Sequence, residues 1–285
     1  MQNNYSEIKP IVFVEIREDE FHALSSLVYD QIGINLTEEK RTLLTGRLQK
    51  ILRREKFRSF REYYDYVTND KTGDALTELA NTISTNHTFF GREKDHFDYF
   101  LNVTLPEVTG NLRAKGSNDL RVWCAGCSTG EEAYTLVMLM MERLGAQYSS
   151  WNAGALATDI SASALEKAVE AIYPEERVRP LDENLKSKYM KKLPSGFWTV
   201  TEAVKKEVLF RKFNLMSEVF PFRKPFDVIF CRNVMIYFDP PTRERLINKF
   251  YDCLVDGGYL FIGHSETIRR DASAFKYIMP AVYKK

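Results

Sequence analysis

The chain has 285 residues, 44% of them hydrophobic, which is enough for one large domain or two ordinary domains with buried cores. Its 40 basic and 39 acidic residues leave a net charge of +1, which argues against a globally basic nucleic-acid binder. No apolar run approaches the ~20 residues that span a bilayer, and the polar first five residues lack the apolar core of a signal peptide. We therefore expect a cytoplasmic protein without membrane insertion.

The first 84 residues predict a small all-α domain, because apolar residues recur there at helical spacing. Four helices are expected, over 20–32, 37–54, 60–67 and 74–83. Gly33 and Gly73 supply stops or turns between them. Residues 1 to about 16, which include the apolar run 11–14, are expected to be partly disordered.

Positive charge is concentrated over residues 38–61, on the second predicted helix and its exit. Nine basic residues stand there against three acids. Most charge runs of this kind are solvated helix faces, and that interpretation stays open. The alternative is a docking surface for an acidic partner, since complementary charge steers association. Nucleic acid is a weaker alternative, because no interleaved aromatic residues can be assigned.

The most informative segment is an apolar strand over 120–125, which runs into the turn Gly126-Cys-Ser-Thr-Gly130 and then a helix. Glycines at both ends of the turn let a ligand approach the backbone. The spacing is not that of a dinucleotide or phosphate-binding loop, and Glu131 and Glu132 would repel a pyrophosphate. A cationic, hydroxyl-rich ligand such as S-adenosylmethionine suits the turn better, although an ordinary βα turn stays about equally compatible.

A second strand, over 155–160, reaches Asp159 about one βα unit downstream. An acid at this strand end is placed to bind the hydroxyl groups of a ribose. The alternative is a helix cap, because Asp159 or Ser161 could cap the helix predicted over 161–171. The order of glycine turn and acid favours the nucleoside interpretation.

Further strands are predicted over 210–215 and from 226, and the second ends in Arg232, Asn233 and Tyr237. Open α/β sheets bind ligands outside the carboxyl ends of their strands, so these polar residues are site candidates. A fifth strand over 257–263 and a terminal strand pair within 275–283 complete the predicted sheet.

Residues 173–213 are too long for a plain connection between strands. They contain a helical pattern over 183–193, a turn at 194–196 and strand-like runs over 197–200 and 208–213. We expect an inserted helix with a small antiparallel flap. An edge strand of such a flap can accept a peptide by β-augmentation, and a purely structural flap is about equally compatible.

No metal-binding pattern is recognisable. Cys124 and Cys127 form a Cys-x-x-Cys pair without a second pair, and the four histidines are dispersed along the chain. Packing accounts for both cysteines, so no metal is predicted.

Six short motifs follow one another along the chain. They are Asn86-His-Thr-Phe-Phe-Gly-Arg-Glu93, Gly126-Cys-Ser-Thr-Gly-Glu-Glu132, Thr158-Asp159, Asn214-Leu215, Cys231-Arg-Asn-Val-Met-Ile-Tyr-Phe238 and Gly263-His-Ser-Glu266. This ordered series resembles that of the chemotaxis receptor glutamate methyltransferases of the CheR type, over nearly the whole chain. The Arg-Asn-Val-Met-Ile-Tyr-Phe run is its most specific element.

The resemblance implies an α/β fold in which residues 85–285 form a Rossmann-like class I methyltransferase domain that depends on S-adenosylmethionine. It also implies an N-terminal all-α domain over 1–84 and an inserted antiparallel β subdomain at about 173–213. The implied reaction transfers a sulfonium methyl group to glutamate side chains in the cytoplasmic region of chemotaxis receptors, with S-adenosylhomocysteine as the product.

Motif matching implies the roles of individual residues. Arg92 and Tyr237 would line the methyl-transfer site, whereas the alternatives are an ion pair of Arg92 with Glu93 or Asp95 and a core position for Tyr237. The residues implied for cofactor binding are Asn86, Thr88, Arg92, Gly126, Glu131, Glu132, Asp159, Asn214, Leu215, Arg232 and Asn233.

The resemblance also implies the partners. Arg47, Lys50, Arg53 and Arg54 of the basic helix would dock the methylation helices of a receptor. The flap could hold a receptor's C-terminal peptide, and we expect a monomer that does not bind nucleic acid.

Three other function classes were weighed. A non-catalytic scaffold that senses S-adenosylmethionine would tolerate loss of Arg92 and Tyr237, yet both are present. A nucleic-acid methyltransferase is suggested by Asp239-Pro-Pro-Thr242, but Thr242 lacks the ring that stacks a flipped base. A nicotinamide oxidoreductase would need the glycine fingerprint that is missing here.

Overall fold

A computed structural model describes residues 13–269 and 271–285. The sequence-based expectation for residues 1–16 therefore lies mostly outside the described residues. The described part of the chain divides into two compact units, of which the first comprises residues 13–31 and Asn35–Ile83 and the second comprises Ile32–Ile34 and residues from Ser84 onward. The boundary expected from sequence, between residues 84 and 85, lies one residue from the division at Ile83 and Ser84.

The first unit is helical, and all four predicted helices are present. They are α1 (Glu18–Ile32), α2 (Arg41–Glu55, after a 3-10 turn at Glu38–Lys40), α3 (Phe60–Asn69) and α4 (Asp74–Ile83). Leu24, Leu48, Phe60 and Leu79, one from each helix, are fully buried, so the apolar residues at helical spacing form the core of this unit.

The second unit contains a seven-stranded sheet and a separate three-stranded sheet. Its ten strands are β1 (Asp119–Ala125), β2 (Asn152–Asp159), β3 (Ile172–Tyr173), β4 (Met190–Lys192), β5 (Trp198–Val200), β6 (Val208–Lys212), β7 (Phe226–Cys231), β8 (Leu254–Ile262), β9 (Lys276–Met279) and β10 (Val282–Lys284). The large sheet has the order β6-β2-β1-β7-β8-β10-β9. Its first five strands are parallel, and β10 and β9 close it as an antiparallel pair.

Eight helices accompany these sheets. They are α5 (Lys94–Tyr99, continued by a π-helical turn at Phe100–Thr104), α6 (Leu105–Ala114), α7 (Glu131–Leu144, followed by a 3-10 turn at Gly145–Ser150), α8 (Ala162–Glu170), α9 (Glu175–Val178), α10 (Glu183–Tyr189), α11 (Glu202–Lys205) and α12 (Pro240–Cys253). Within the described residues, every helix is too short or too polar to cross a membrane.

Buried strands hold the large sheet in place. Every residue of β7 is buried, as expected for a central parallel strand covered on both faces. Trp123 of β1 is fully buried, and its indole N–H donates to Thr158 Oγ1 at 2.9 Å. Because β1 and β2 pair in register up to Ala125 and Thr158, both strands deliver their following turns to the same edge.

The inserted subdomain is smaller than the sequence predicted. Its antiparallel sheet has the order β3-β5-β4. The assignment of residues 208–213 to this flap is wrong, because Val208–Lys212 pairs in parallel with β2 and forms the edge strand of the large sheet. The helix expected over 183–193 ends at Tyr189, since Met190–Lys192 pairs with β5 instead.

Candidate active site

A cleft with about 980 Å³ of empty space, part of it open to solvent, lies at the carboxyl ends of β1, β2, β6 and β7. Most residues proposed from sequence line it, namely Asn86, Thr88, Arg92, Gly126, Glu132, Asp159, Asn214, Leu215, Arg232, Asn233 and Tyr237. Side chains from four strand ends therefore meet in one cavity.

The glycine turn after β1 is held against the end of β2. Gly126 and Cys127 both donate their backbone N–H to Thr158 O, at 2.7 and 2.9 Å. Gly126 has a φ of +82°, and a Cβ at this position would overlap the side chain of Val234. Only glycine fits this backbone conformation and close approach. The turn thus packs directly against Val234 at the cleft.

Asp159 holds two backbone segments together at the end of β2. Its carboxylate accepts hydrogen bonds from Ser128 N at 2.7 Å and from Ser161 N at 2.9 Å, so it orders both the glycine turn and the start of α8. Ser161 itself caps α8 by accepting from Ala164 N. Burial raises the pKa of Asp159, and the backbone hydrogen bonds oppose that rise. A carboxylate has about four acceptor positions, so at least one remains for a ribose hydroxyl.

Glu131 does not reach the cleft, which corrects the expectation from sequence. Its carboxylate is fully buried, accepts from Thr129 Oγ1 at 2.7 Å and pairs with Arg177 Nη1 at 2.9 Å. The side chain therefore ties the glycine turn to α9 of the inserted subdomain. Tyr173 strengthens this connection, because its hydroxyl donates to Thr129 O at 2.7 Å.

Glu132 does face the cleft and belongs to a buried charge network. One of its oxygens lies 3.0 Å from Arg232 Nη1, and the other accepts from Cys124 Sγ at 3.1 Å. Burial raises the pKa of Glu132, and the cation of Arg232 opposes this shift. The predicted packing role of Cys124 thus includes a hydrogen bond to a cleft residue.

The guanidinium of Arg232 binds oxygen atoms of the protein itself. Its Nη2 lies 3.0 Å from Glu93 Oε2 and donates to Arg92 O at 2.5 Å, while the guanidinium lies over the Phe97 ring at 5.1 Å. Burial would raise the pKa of Glu93, but Arg232 and Asn233 outweigh it and lower that pKa. Arg232 therefore forms part of the cleft wall mainly by holding Glu93 and Glu132 in place.

Arg92 and Tyr237 line the same cleft from different segments. Arg92 Nη1 donates to His87 O at 2.8 Å. The ion pairs considered for Arg92 as an alternative are made by other residues, since Glu93 pairs with Arg232 and Asp95 pairs with His264. Tyr237 is half-buried in a 3-10 turn at Met235–Tyr237. Tyr237 lines the cleft, in contrast to the core position considered as the alternative.

Asn86, Asn214 and Leu215 also line the cleft. Asn86 Oδ1 lies 3.4 Å from Ser128 Oγ, which connects the Asn86 segment to the glycine turn. Asn214 Oδ1 accepts from Met216 N at 2.9 Å, and the adjacent Leu215 is a buried apolar residue at the cleft.

Two histidines that are far apart in sequence come together beside Glu93, which the sequence did not indicate. The rings of His96 and His264 lie 4.5 Å apart, and His264 Nε2 lies 3.0 Å from Asp95 Oδ2. Burial lowers the pKa of the fully buried His96 to about 4. We assign no ion to this cluster, because the Glu93 oxygens already accept from Arg232 and Asn233.

Comparison with known proteins decides the family. Residues 86–283 match the CheR methyltransferase SAM-binding domain, and residues 19–84 match the CheR methyltransferase all-alpha domain. The chain belongs to the CheR methyltransferase family. It is 46% identical over 272 residues to a chemotaxis protein methyltransferase of Borreliella burgdorferi, which covers 95% of this chain and 96% of the relative. A chemotaxis protein methyltransferase of Escherichia coli is 33% identical over 249 residues, or 86% of this chain and 83% of the relative.

This CheR-family chain is therefore an S-adenosylmethionine-dependent methyltransferase with the expected Rossmann-like class I fold. The cleft fits that cofactor. Gly126 and the Asp159 carboxylate line the cleft together, where strands β1 and β2 end. The Glu132 carboxylate also lines the cleft, where it pairs with Arg232.

Proposed function

We propose that this protein methylates glutamate side chains in the cytoplasmic region of chemotaxis receptors, with glutamate methyl esters and S-adenosylhomocysteine as products. The observation that carries the proposal is that Arg92 and Tyr237 line the same cleft as Asp159 and the glycine turn. The names of the relatives support a role in chemotaxis.

The methyl transfer requires little chemical activation by the protein. S-adenosylmethionine supplies an electrophilic methyl group, and a glutamate with an ordinary pKa near ~4.3 is already an ionised nucleophile at neutral pH. A strong general base is therefore unnecessary. Alignment of the carboxylate oxygen with the methyl carbon can supply on the order of 7–11 kcal/mol. The site residues act chiefly by positioning.

Arg92 and Tyr237 are the positioning groups in this proposal. Arg92, held by its bond to His87 O, orients the incoming carboxylate. A very close ion pair would stabilise the ground state of the nucleophile, so Arg92 is assigned orientation rather than charge neutralisation. Tyr237 positions the carboxylate or the sulfonium.

We further propose that the basic helix α2 docks the acidic methylation region of the receptor. The four candidate cations differ in their surroundings. Arg47 donates to Ile83 O at the end of α4, and Arg54 pairs with Glu55 and Glu78. Lys50 and Arg53 are exposed and lie three residues apart on α2, so they share a face. These two side chains are the best candidates for receptor contact.

The proposal includes the location of the protein and the way in which a receptor is held. We place the protein in the cytoplasm as a monomer, where its receptor substrates present their signalling regions. A receptor's C-terminal peptide adds to an edge strand of the inserted sheet, which has β3 and β4 at its two edges.

Labelled S-adenosylmethionine and purified receptor cytoplasmic fragments test the proposal. Label should enter the fragment and be released by mild base, because methyl esters hydrolyse there and N-methyl groups do not. Base-stable label would contradict glutamate esterification. A protein that binds S-adenosylhomocysteine but transfers no label to any receptor fragment would instead favour the sensing scaffold.

A further inference from the structure

Glu266 is a buried carboxylate behind the cleft, at the end of the motif Gly263-His-Ser-Glu266. Its residue is 4% exposed and follows strand β8. Oε2 accepts from Asn233 N at 3.1 Å and from Gly263 N at 2.5 Å, and Oε1 accepts from Ile236 N at 3.1 Å. A single carboxylate thus binds backbone donors from two loops.

The two loops are in close contact at this point. A Cβ at Gly263 would lie 2.5 Å from Asn233 Nδ2 and 2.8 Å from Asn233 N. Asn233 has a φ of +59°, a conformation that asparagine tolerates better than most residues. Its backbone conformation therefore needs support from surrounding groups.

Asn233 is also held from its side chain. Its Nδ2 donates to Glu93 Oε1 at 3.1 Å, while Glu266 binds its backbone N–H. Two carboxylates from distant parts of the chain therefore fix the segment 233–237, which brings Asn233 and Tyr237 to the cleft wall.

We propose that Glu266 is a positioning residue, which sets the conformation of the 233–237 segment and thereby the placement of Asn233 and Tyr237 in the cleft. The part of this proposal that concerns Tyr237 and methyl transfer rests on the proposed function. The effect of Glu266 on Asn233 concerns only the binding of S-adenosylmethionine or its product.

Charge and shape both matter for this role. The recorded hydrogen-bond partners of Glu266 are all backbone N–H donors, so an acceptor-only side chain suits the position. In a Glu266→Gln variant one acceptor oxygen becomes an NH₂ group that faces a donor. A buried N–H then loses its partner while the side-chain volume is almost unchanged.

A double-mutant cycle on S-adenosylhomocysteine affinity, measured by calorimetry, tests the proposal. The four proteins are the parent, Glu266→Gln, Asn233→Gly and the double variant, because glycine removes the Asn233 side chain while it accepts the positive φ. We expect Glu266→Gln to weaken binding by about fivefold or more in the parent and by less than about twofold in the Asn233→Gly background. Equal losses in both backgrounds, or no loss in the parent, would overturn the proposal.

Control variants distinguish a positioning role of Glu266 from a general loss of structure. Glu166→Gln makes the same chemical change at an exposed site on α8 and should leave affinity unchanged. If Glu266→Gln does not fold, Glu266→Asp, which keeps the charge on a shorter side chain, takes its place in the same cycle. Near-parental circular dichroism is required of every variant.

The receptor assay distinguishes this proposal from the proposed function. If the affinity cycle shows coupling but the parent esterifies no receptor fragment, Glu266 keeps its positioning role and glutamate methylation is wrong. If the parent is active and the cycle shows no coupling, the assignment of Glu266 is wrong and the proposed function stands.

Discussion

The Asp159 carboxylate joins the glycine turn after β1 to the start of α8. The sequence allowed a ribose-binding acid or a helix cap, and the carboxylate in fact bonds the backbone on both sides, at Ser128 and Ser161. The capping of α8 itself falls to Ser161. Asp159 can therefore order the turn and still present acceptor lone pairs to the cleft.

Replacement of Asp159 by asparagine should weaken S-adenosylhomocysteine binding by roughly tenfold or more, because hydrogen bonds to a charged acceptor contribute about 1.5–3 kcal/mol. Asparagine keeps the size of the side chain, so folding should survive. Calorimetric titration measures the change, and Glu166→Gln serves as the exposed acid-to-amide control. Parental affinity in a folded Asp159→Asn protein would remove this residue from the site.

Tyr237→Phe and Arg92→Ala should each lower the single-turnover rate by at least about tenfold, with a much smaller change in cofactor affinity, if both act at the reacting centre. Rapid-quench methylation of a receptor fragment measures the rate, and calorimetry measures the affinity. A variant that keeps the parental rate assigns its residue to structure alone.

His96 should make the fold sensitive to acid. Its pKa in the folded protein is about 4, below the ordinary 6.5, so the unfolded chain binds the proton more readily. Stability from this residue is present above pH 6.5 and is lost as the pH falls from 6.5 towards 4, by about 2 kcal/mol between pH 7 and 5.

The matched variant for this prediction is His96→Phe, which keeps a ring against Phe261 but cannot take up a proton. Its free energy of unfolding, from urea titrations at pH 7 and pH 5, should fall less than that of the parent by roughly the same 2 kcal/mol. Equal acid sensitivity in the two proteins would show that His96 does not titrate in this way.

At the scale of elements, periodicity predicted helices well and strand partners poorly. The four helices of the first unit follow apolar spacing, which depends on local sequence alone. The pairing of β6 cannot be predicted from local sequence, because residues 208–212 are equally suited to a flap or to the open edge beside β2. Glu131 was misplaced for a related reason. Its position beside Glu132 does not reveal that Arg177, 46 residues later, binds it.

The helix α2 offers a prediction about receptor docking. Reversal of charge in the double variant Lys50→Glu, Arg53→Glu should lower methylation at limiting receptor while it leaves cofactor affinity and stability near the parent's, since exposed charges contribute little to folding. Raised salt should slow the parent more than the variant, because exposed charges more than about 8 Å apart are largely screened at physiological ionic strength.

A matched control for α2 is the double variant Lys115→Glu, Lys276→Glu, which makes the same change of net charge at two exposed lysines of the second unit. It should retain the parental dependence on receptor concentration. If the α2 variant also retains it at every salt concentration, the basic helix is a solvated face.

At the scale of the whole molecule, the sequence predicted the sheet and the edge where the cleft lies, because parallel strands deliver their carboxyl ends to one edge. The cofactor followed from the family resemblance. The sequence could not predict the contacts that join segments far apart in the chain. Glu93 with Arg232 and Glu266 with Asn233 are examples, since each pair depends on packing of separate loops. These long-range carboxylate contacts are what fix the cleft wall.

The central claim is that the cleft esterifies receptor glutamates. Peptide-level mass spectrometry of a receptor fragment, incubated with the protein and S-adenosylmethionine, tests it most directly. We predict the mass gain of one methyl group on defined glutamate residues, its loss after mild base, and its absence when those glutamates are replaced by alanine. Methyl groups found only on lysine, arginine or nucleic acid, or none on any glutamate while S-adenosylhomocysteine is bound, would contradict the account.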